Sequence, residues 1–116
     1  MDGAAPDPVV TAALQEIRAS RGRLRIRRLA ARVSTSERHL QRRFREHVGF
    51  TPKQLAGLER FRAAVRSMHR EPRRPLHGIA VRCGYYDQPH FVREIRRYSG
   101  LTPTTLRSRL AAADPT

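Results

Sequence analysis

The stretch REHVGFTP, at residues 45–52, has a near copy 51 residues further along the chain, RRYSGLTP, at residues 96–103. Both end in a glycine, an apolar residue, a threonine and a proline. Glycine commonly ends a helix, and threonine followed by proline is a favourable start for the next helix. The repeated phrase therefore predicts two equivalent joints between helices.

The sequence upstream of each joint also repeats. Ala30 aligns with Ala80 at an offset of 50 residues, and from Ser36 and Asp87 onward the offset is 51. Each copy reads as a short helix with an alanine at its centre, a turn, and a second helix with basic residues outside. This is the helix-turn-helix pattern, and the one-residue slip falls in the turn, where an insertion is tolerated.

The turns of the two helix-turn-helix copies have different residues at the position where the backbone is expected to have positive φ. Gly84 suits a turn residue with positive φ, whereas Ser34 fits the same position poorly. We therefore expect a strained or differently shaped first turn. Tyr85 and Tyr86 are expected to pack in the second turn.

The whole chain is predicted to be all-α, with about seven helices and no strand. The expected segments are a flexible N-terminus at 1–6, a first helix-turn-helix subdomain at 7–51, a linking helix at 52–70, a linker at 71–75, a second helix-turn-helix subdomain at 76–111, and a flexible tail at 112–116. The linking helix should span about 27 Å. Its predicted apolar stripe consists of Leu55, Leu58, Phe61, Val65 and Met68.

The charge of the chain indicates a polyanionic partner. Lysine and arginine number 24 against 10 acidic residues, which gives a formal net charge of +14. Nucleic acid is the first expectation and an anionic membrane surface the second. The membrane alternative requires one helix with a wide apolar face and a basic flank, whereas the basic residues here are spread over a folded repeat. No apolar run approaches the roughly 18 residues of a membrane span.

Sites of other kinds find little support in the sequence. Cys83 is the only cysteine, so an intramolecular disulfide is impossible, and we expect it in the core of the second motif and in a reducing cytoplasm. The five histidines show no ligand spacing with a cysteine or an acid. There is no glycine-rich phosphate loop and no paired-carboxylate site. We therefore expect no enzymatic activity, no metal, no cofactor and no small-molecule effector site, and the N-terminus lacks the features of a signal peptide.

Two stretches carry a resemblance to a known family: LAARVSTSERHLQRRFREHVGFTPKQLAGLERFRAA, at residues 29–64, and IAVRCGYYDQPHFVREIRRYSGLTPTTLR, at residues 79–107. Together they resemble the DNA-binding domain of the AraC/XylS family of bacterial transcription regulators, over about residues 8–110. Many members carry a separate ligand-binding or dimerisation domain. The resemblance implies either a short stand-alone member or a fragment of a longer regulator.

The resemblance implies two recognition helices, at residues 36–48 and 87–98, that enter successive major-groove segments of an asymmetric site, roughly 34 Å apart. By position, the base contacts of the family fall on Arg38, Gln41 and Arg42 in the first helix and on Gln88, Pro89, Val92 and Arg93 in the second. Arginine pairs well with guanine and glutamine with adenine, whereas proline and valine can only contact a thymine methyl group. This sequence departs from the family at Ile95, where an aromatic residue is usual.

Phosphate contacts are expected from helix N-termini and from nearby cations. The expected residues are Arg27, Arg28, Arg45, Thr51, Arg82, Arg96, Arg97 and Thr102. The expected partners are double-stranded DNA, bound by a monomer, and RNA polymerase, in the cytoplasm of a bacterium. A non-specific or architectural nucleic-acid-binding protein is the alternative. The operator, the regulated genes and the direction of regulation cannot be predicted from the sequence.

Overall fold

A computed structural model of the chain describes residues 7–113, and in that range the protein has seven helices and no strand. The helices are α1 (Pro8–Ala19), α2 (Ile26–Arg32), α3 (Glu37–His47), α4 (Pro52–Arg70), α5 (Leu76–Arg82), α6 (Gln88–Ser99) and α7 (Pro103–Ala113). The all-α prediction is confirmed. The predicted N-terminal segment, 1–6, lies outside the described residues, as does the predicted tail beyond Ala113.

The ends of the helices follow from local side-chain chemistry. Asp7, Ser36 and Asp87 are the N-caps of α1, α3 and α6, and each side chain accepts a hydrogen bond from an amide in the first turn. Gly49 and Gly100 follow α3 and α6 with φ of 86° and 76°. This left-handed backbone is inexpensive for glycine, so the joints predicted from the repeated phrase are real helix boundaries.

The turns inside the two helix-turn-helix copies share one hydrogen-bond pattern. The Thr35 N–H donates to the Ala30 carbonyl at 2.9 Å, and the Tyr85 N–H donates to the Ala80 carbonyl at 3.0 Å. These bonds close a Schellman motif at the end of α2 and of α5. The two alanines therefore occupy the same position in both copies.

The left-handed residue of this motif is Ser34 in the first copy and Gly84 in the second, with φ of 58° and 90°. A residue with a Cβ atom in that region costs roughly 1–2 kcal/mol, because the Cβ crowds the following carbonyl oxygen. The prediction of a strained first turn is confirmed at Ser34.

The chain folds into two compact units, Met1–Ala56 and Gly57–Thr116. In the first unit, α1, α2 and α3 pack around a core that also includes the first turn of α4. Its buried residues are Val10, Ala13, Ile17, Leu29, Ala30, Leu40, Phe44 and Ala56. Burial of this apolar face is what stabilises α2, which has only 7 residues.

The second unit builds an equivalent core from the rest of α4 with α5, α6 and α7. Its buried residues are Ala63, Ala64, Met68, Ile79, Ala80, Cys83, Tyr85, Phe91, Ile95 and Leu106. Cys83 is buried at the C-terminal end of α5, as predicted. Within this unit, α4 is a core element and not only a connection.

Leu55, Phe61 and Val65 of the predicted apolar stripe of α4 pack against the two cores. Met68 is fully buried, but the other four predicted positions are only half-buried. Ala56, Ala63 and Ala64 are buried more deeply than these four positions. Small side chains let neighbouring helices approach closely, and a pattern that counts only large apolar residues overlooks them.

Candidate nucleic-acid interface

The α3 helix presents a basic outer face. Leu40 and Phe44 are fully buried in the first core and fix which side of α3 faces inward. The predicted contact residues on the other side are exposed: Arg38, Gln41, Arg42 and Arg45. These side chains lie on successive turns of one helix face, which is the arrangement that a reading helix requires.

The α6 helix repeats this arrangement in the second unit. Phe91 and Ile95 are fully buried. The predicted contact residues are exposed except for the half-buried Val92: Gln88, Pro89, Val92, Arg93, Arg96 and Arg97. The face therefore combines apolar residues in the first two turns with arginines in the following turns.

The carboxylates of the described residues are mostly engaged elsewhere. Their ion pairs are Asp7–Arg43, Glu16–Arg32, Glu46–Arg43, Glu59–Arg62, Glu71–Arg74, Glu71–Arg82 and Glu94–Arg60. Between residues 7 and 113, no carboxylate forms an ion pair with an arginine of α3 or α6 that we predicted to contact DNA. The guanidinium groups on both outer faces therefore remain uncompensated by the protein and suit an anionic partner.

Arg42 has one close neighbour on its own helix. Its Nη2 lies 3.0 Å from Nδ1 of His39, one turn earlier. Because arginine can only donate, Nδ1 of His39 accepts this hydrogen bond. The contact holds the Arg42 guanidinium beside His39 on the exposed side of the helix.

The remaining predicted phosphate contacts lie on α2, at the end of α5 and at the starts of α4 and α7. Arg27 and Arg28 are exposed on α2, without a carboxylate partner among the described residues. Arg82 forms an ion pair with Glu71, so a phosphate would have to replace this carboxylate. Thr51 and Thr102 cap α4 and α7, since their hydroxyls accept amide hydrogen bonds at 3.0 and 3.2 Å.

Two residues at equivalent positions in the repeat were missed from the sequence as functional candidates. Arg43 of α3 forms an ion pair with Asp7, and Glu94 of α6 forms one with Arg60. Arg43 and Glu94 are 51 residues apart, so both belong to the helix side next to the core, but their charges are opposite. This inversion within an otherwise regular alignment was the signal that could have identified them.

Asp7 joins the start of α1 to α3. Its side chain is 1% exposed. The Val10 amide that donates to the carboxylate lowers the pKa of Asp7, burial opposes this effect, and Arg43 lowers the pKa further. Nε2 of His47 lies 3.5 Å from the same carboxylate.

The two tyrosines of the second turn have different environments. Tyr85 is buried, as predicted, and burial raises its pKa. Tyr86 is 78% exposed, so the prediction that it packs in the turn is wrong. Tyr86 is the extra residue of the second turn, and its side chain is exposed next to the start of α6.

Residues 7–113 contain no group of three or more histidine, cysteine or acidic side chains that could hold a metal ion. Within the same range, none of the helices is both long enough and apolar enough to span a bilayer.

The chain is similar to known proteins in sequence and in structure. The model of a family described as a helix-turn-helix domain matches residues 29–109. A transcriptional regulator of the AraC-type DNA-binding domain-containing proteins, from Chromobacterium violaceum, is 25% identical, with 94% of this chain and 96% of that chain covered and a TM-score of 0.77. The C-terminal domain of AraT, a response regulator from Geobacillus stearothermophilus, is also 25% identical, with coverages of 91% and 88% and a TM-score of 0.80.

A third similar structure is the DNA-binding domain of AdpA, a global transcriptional factor, in complex with a target DNA. It is 26% identical, covers 96% of this chain and 99% of its own, and has a TM-score of 0.78. No curated protein matches the sequence. Because the family match spans well over half of the chain and the similar structures cover nearly all of it, the chain belongs to the helix-turn-helix family as a DNA-binding domain of the AraC type, which occurs in transcription regulators and is not an enzyme.

Proposed function

We propose that this protein reads a specific, asymmetric site in double-stranded DNA, with α3 and α6 in successive major-groove segments. The observation that carries the proposal is the pair of exposed faces on these helices, whose arginines have no carboxylate partner in residues 7–113. AdpA, a similar protein, has been crystallised with its target DNA. A basic helix in the second position of a helix-turn-helix suits the major groove in width and charge.

The first reading helix offers three hydrogen-bonding side chains. Arg38 and Arg42 suit guanine, and Gln41 suits adenine, each bidentate contact being worth about 1–3 kcal/mol of discrimination. The contact between His39 and Arg42 pre-orients one of these groups. Pre-orientation reduces the rotamer entropy lost on binding, so Arg42 is the strongest candidate for a base contact in α3.

The second reading helix offers a different set. Arg93 suits guanine, Gln88 lies at the first position of α6, and Pro89 and Val92 present only apolar surface. Apolar side chains favour thymine through its methyl group. The two half-sites should therefore differ in sequence, and one protein monomer can define the orientation of the site.

Phosphate contacts should add affinity without sequence preference. Six of the predicted contacts are arginines, on α2, α3, α5 and α6. Neutralising six phosphates gives a slope of log K against log salt of about −5. A smaller slope is expected if Arg82 remains paired with Glu71.

We further propose that the protein acts at bacterial DNA in the cytoplasm, as a monomer, and that it works through RNA polymerase. The similar structures with a named source come from bacteria. A pull-down with purified RNA polymerase on the selected DNA site would test this part separately.

Selection from a random DNA library tests the central proposal, because it gives the site, its asymmetry and the half-site spacing together. Arg42→Ala should relax selection in one half-site, and Arg93→Ala in the other, by about 10-fold at the affected base pair. Arg109→Ala is the matched control, since Arg109 is exposed on α7 and belongs to neither reading face. If both reading variants weaken binding equally on all sequences, their base-reading roles are wrong. If random DNA competes as well as the selected site at moderate salt, the protein is a non-specific binder.

A further inference from the structure

The α6 helix carries one acidic residue, Glu94, in the middle of its basic sequence. Arg93 precedes it directly and is exposed, whereas only 12% of the Glu94 side chain is accessible. Consecutive residues of a helix are about 100° apart around its axis. The helix rotation that places Glu94 therefore also sets the direction in which the Arg93 side chain leaves the backbone.

Glu94 forms a bidentate ion pair. Nε of Arg60, on α4, donates to Oε1 at 2.9 Å, and Nη2 donates to Oε2 at 3.0 Å. Arg60 is itself only 13% exposed, and its guanidinium lies 5.7 Å from the ring centroid of Tyr85. Nε2 of His90 lies 3.6 Å from Oε2 of Glu94. The carboxylate is thus contacted from α4 and from its own helix.

The surroundings leave little space for this side chain to shift. A Cβ atom placed on Gly57 of α4 would lie 2.9 Å from Oε2 of Glu94 and 2.8 Å from the Tyr98 hydroxyl. Such distances are too short for ordinary contact, so the side chains of α6 already fill the space above this glycine. The absence of a side chain at Gly57 lets the ion pair form next to the α4 backbone.

Stability alone does not explain a largely buried ion pair at this place. Replacing such a pair by well-packed apolar residues is often neutral or stabilising, because both charges lose their hydration on burial. The apolar contacts of Phe91 and Ile95 set which side of α6 faces the core, but the hydrophobic effect is non-directional and does not fix the fine rotation of the helix. A bidentate guanidinium–carboxylate pair is directional, so it can define the rotation of the helix.

We infer that Glu94, held by Arg60, is a positioning residue that aims Arg93 at its base, an inference that rests on the proposed function of α6. A rotation of α6 by about 20° would move a side-chain tip on its outer face by about 2 Å. Hydrogen bonds to a base edge tolerate only a few tenths of an ångström around about 2.9 Å. Losing the ion pair should therefore cost sequence discrimination before it costs affinity for phosphate.

The first unit uses a separate ion pair of opposite polarity. Arg43, at the position equivalent to Glu94, pairs with Asp7 at the start of α1. Each reading helix is therefore held by its own ion pair, which is formed by different residues within its own unit. A change at Glu94 should affect the second half-site and leave the first half-site unchanged.

The test compares discrimination at each half-site for purified variants of the full chain, using the selected DNA site and its single-base-pair changes. In Arg60→Met/Glu94→Leu, the pair is replaced by apolar residues of similar length. Discrimination at the base pair read by Arg93 should fall about 10-fold, whereas discrimination in the first half-site stays the same. Glu94→Gln keeps one hydrogen bond and should show a smaller loss in the same direction, and this variant carries the test if the double variant does not fold.

Glu59→Gln is the matched control. Glu59 of α4 also forms an ion pair with an arginine, but this partner, Arg62, lies on the same helix. Sequence discrimination should therefore not change in this variant. Unchanged discrimination in both Glu94 variants, or an equal loss in both half-sites, would overturn the positioning role. A wild-type protein that selects no sequence at all would overturn the proposed function as well, so the two failures are distinguishable.

Discussion

Ser34→Gly should stabilise the protein, although it removes a side chain and adds a glycine. Ser34 has φ of 58° at the left-handed position of the first turn, where the second turn has Gly84 with φ of 90°. The flanking hydrogen bonds are the same in both turns. The backbone therefore does not need to change for glycine to replace serine.

The size of the effect follows from two opposing contributions. Removing the Cβ atom relieves roughly 1–2 kcal/mol of steric cost in the left-handed region. Glycine in turn loses more conformational freedom on folding, which costs roughly 0.5–1 kcal/mol. The free energy of unfolding should rise by about 0.5–1 kcal/mol, which corresponds to an increase in Tm of about 2–8 °C.

Urea unfolding followed by circular dichroism measures this change directly. Ser34→Ala keeps a Cβ atom and should give no stabilisation, which separates the backbone effect from the loss of the hydroxyl. Gly84→Ser is the reciprocal variant and should lower the free energy of unfolding by a similar amount. If Ser34→Gly is no more stable than the wild type and Gly84→Ser is neutral, the strain at Ser34 is not real.

Three further predictions concern other contacts. Gly57→Ala should lower the free energy of unfolding by about 1–3 kcal/mol, because its Cβ would overlap the end atoms of Glu94 and Tyr98. Ser36→Ala removes the N-cap of α3 and should cost about 1 kcal/mol, as measured by urea unfolding. Asp7→Asn should change the pH dependence of stability. Because the pKa of Asp7 is lowered in the folded protein, its contribution is complete above the ordinary value of 3.8 and is lost as the pH falls through the lowered value. The difference in unfolding free energy between wild type and Asp7→Asn should therefore vanish in acid.

Matched controls accompany these variants. Gly78→Ala adds a Cβ atom that meets only the Arg74 side chain, at 3.7 Å, so it should be neutral or slightly stabilising. Ser108→Ala changes an exposed serine inside α7 and should not destabilise the protein. An unchanged Gly57→Ala variant, or a wild-type advantage over Asp7→Asn that persists at low pH, would contradict the corresponding contacts.

Most of the fold could be predicted from the sequence because the helix boundaries depend on local side-chain chemistry. The N-caps Ser36 and Asp87 and the glycines Gly49 and Gly100 act within a few residues, so their pattern alone fixes where helices begin and end. The repeat supplied the order of the helices. The strained turn at Ser34 was also predictable, because the alignment placed it opposite a glycine.

The parts that could not be predicted depend on contacts between distant residues. Arg43 pairs with Asp7 over 36 positions, and Arg60 pairs with Glu94 over 34. No periodicity reveals such partners, and arginines that hold the fold look the same in sequence as arginines that face a ligand. The base and phosphate contacts remain predictions for the same reason, since exposure defines a face but not what occupies it.

The position of Cys83 provides a natural probe of local unfolding in the second unit. It is the chain's only cysteine, and it lies buried beside the turn of the second helix-turn-helix. A thiol reagent can modify it only when that region opens. The ratio of the alkylation rate under native conditions to that of the unfolded chain therefore gives the free energy of opening around Cys83, without an introduced label. The slowing of that rate by DNA would measure how strongly DNA binding holds this unit closed.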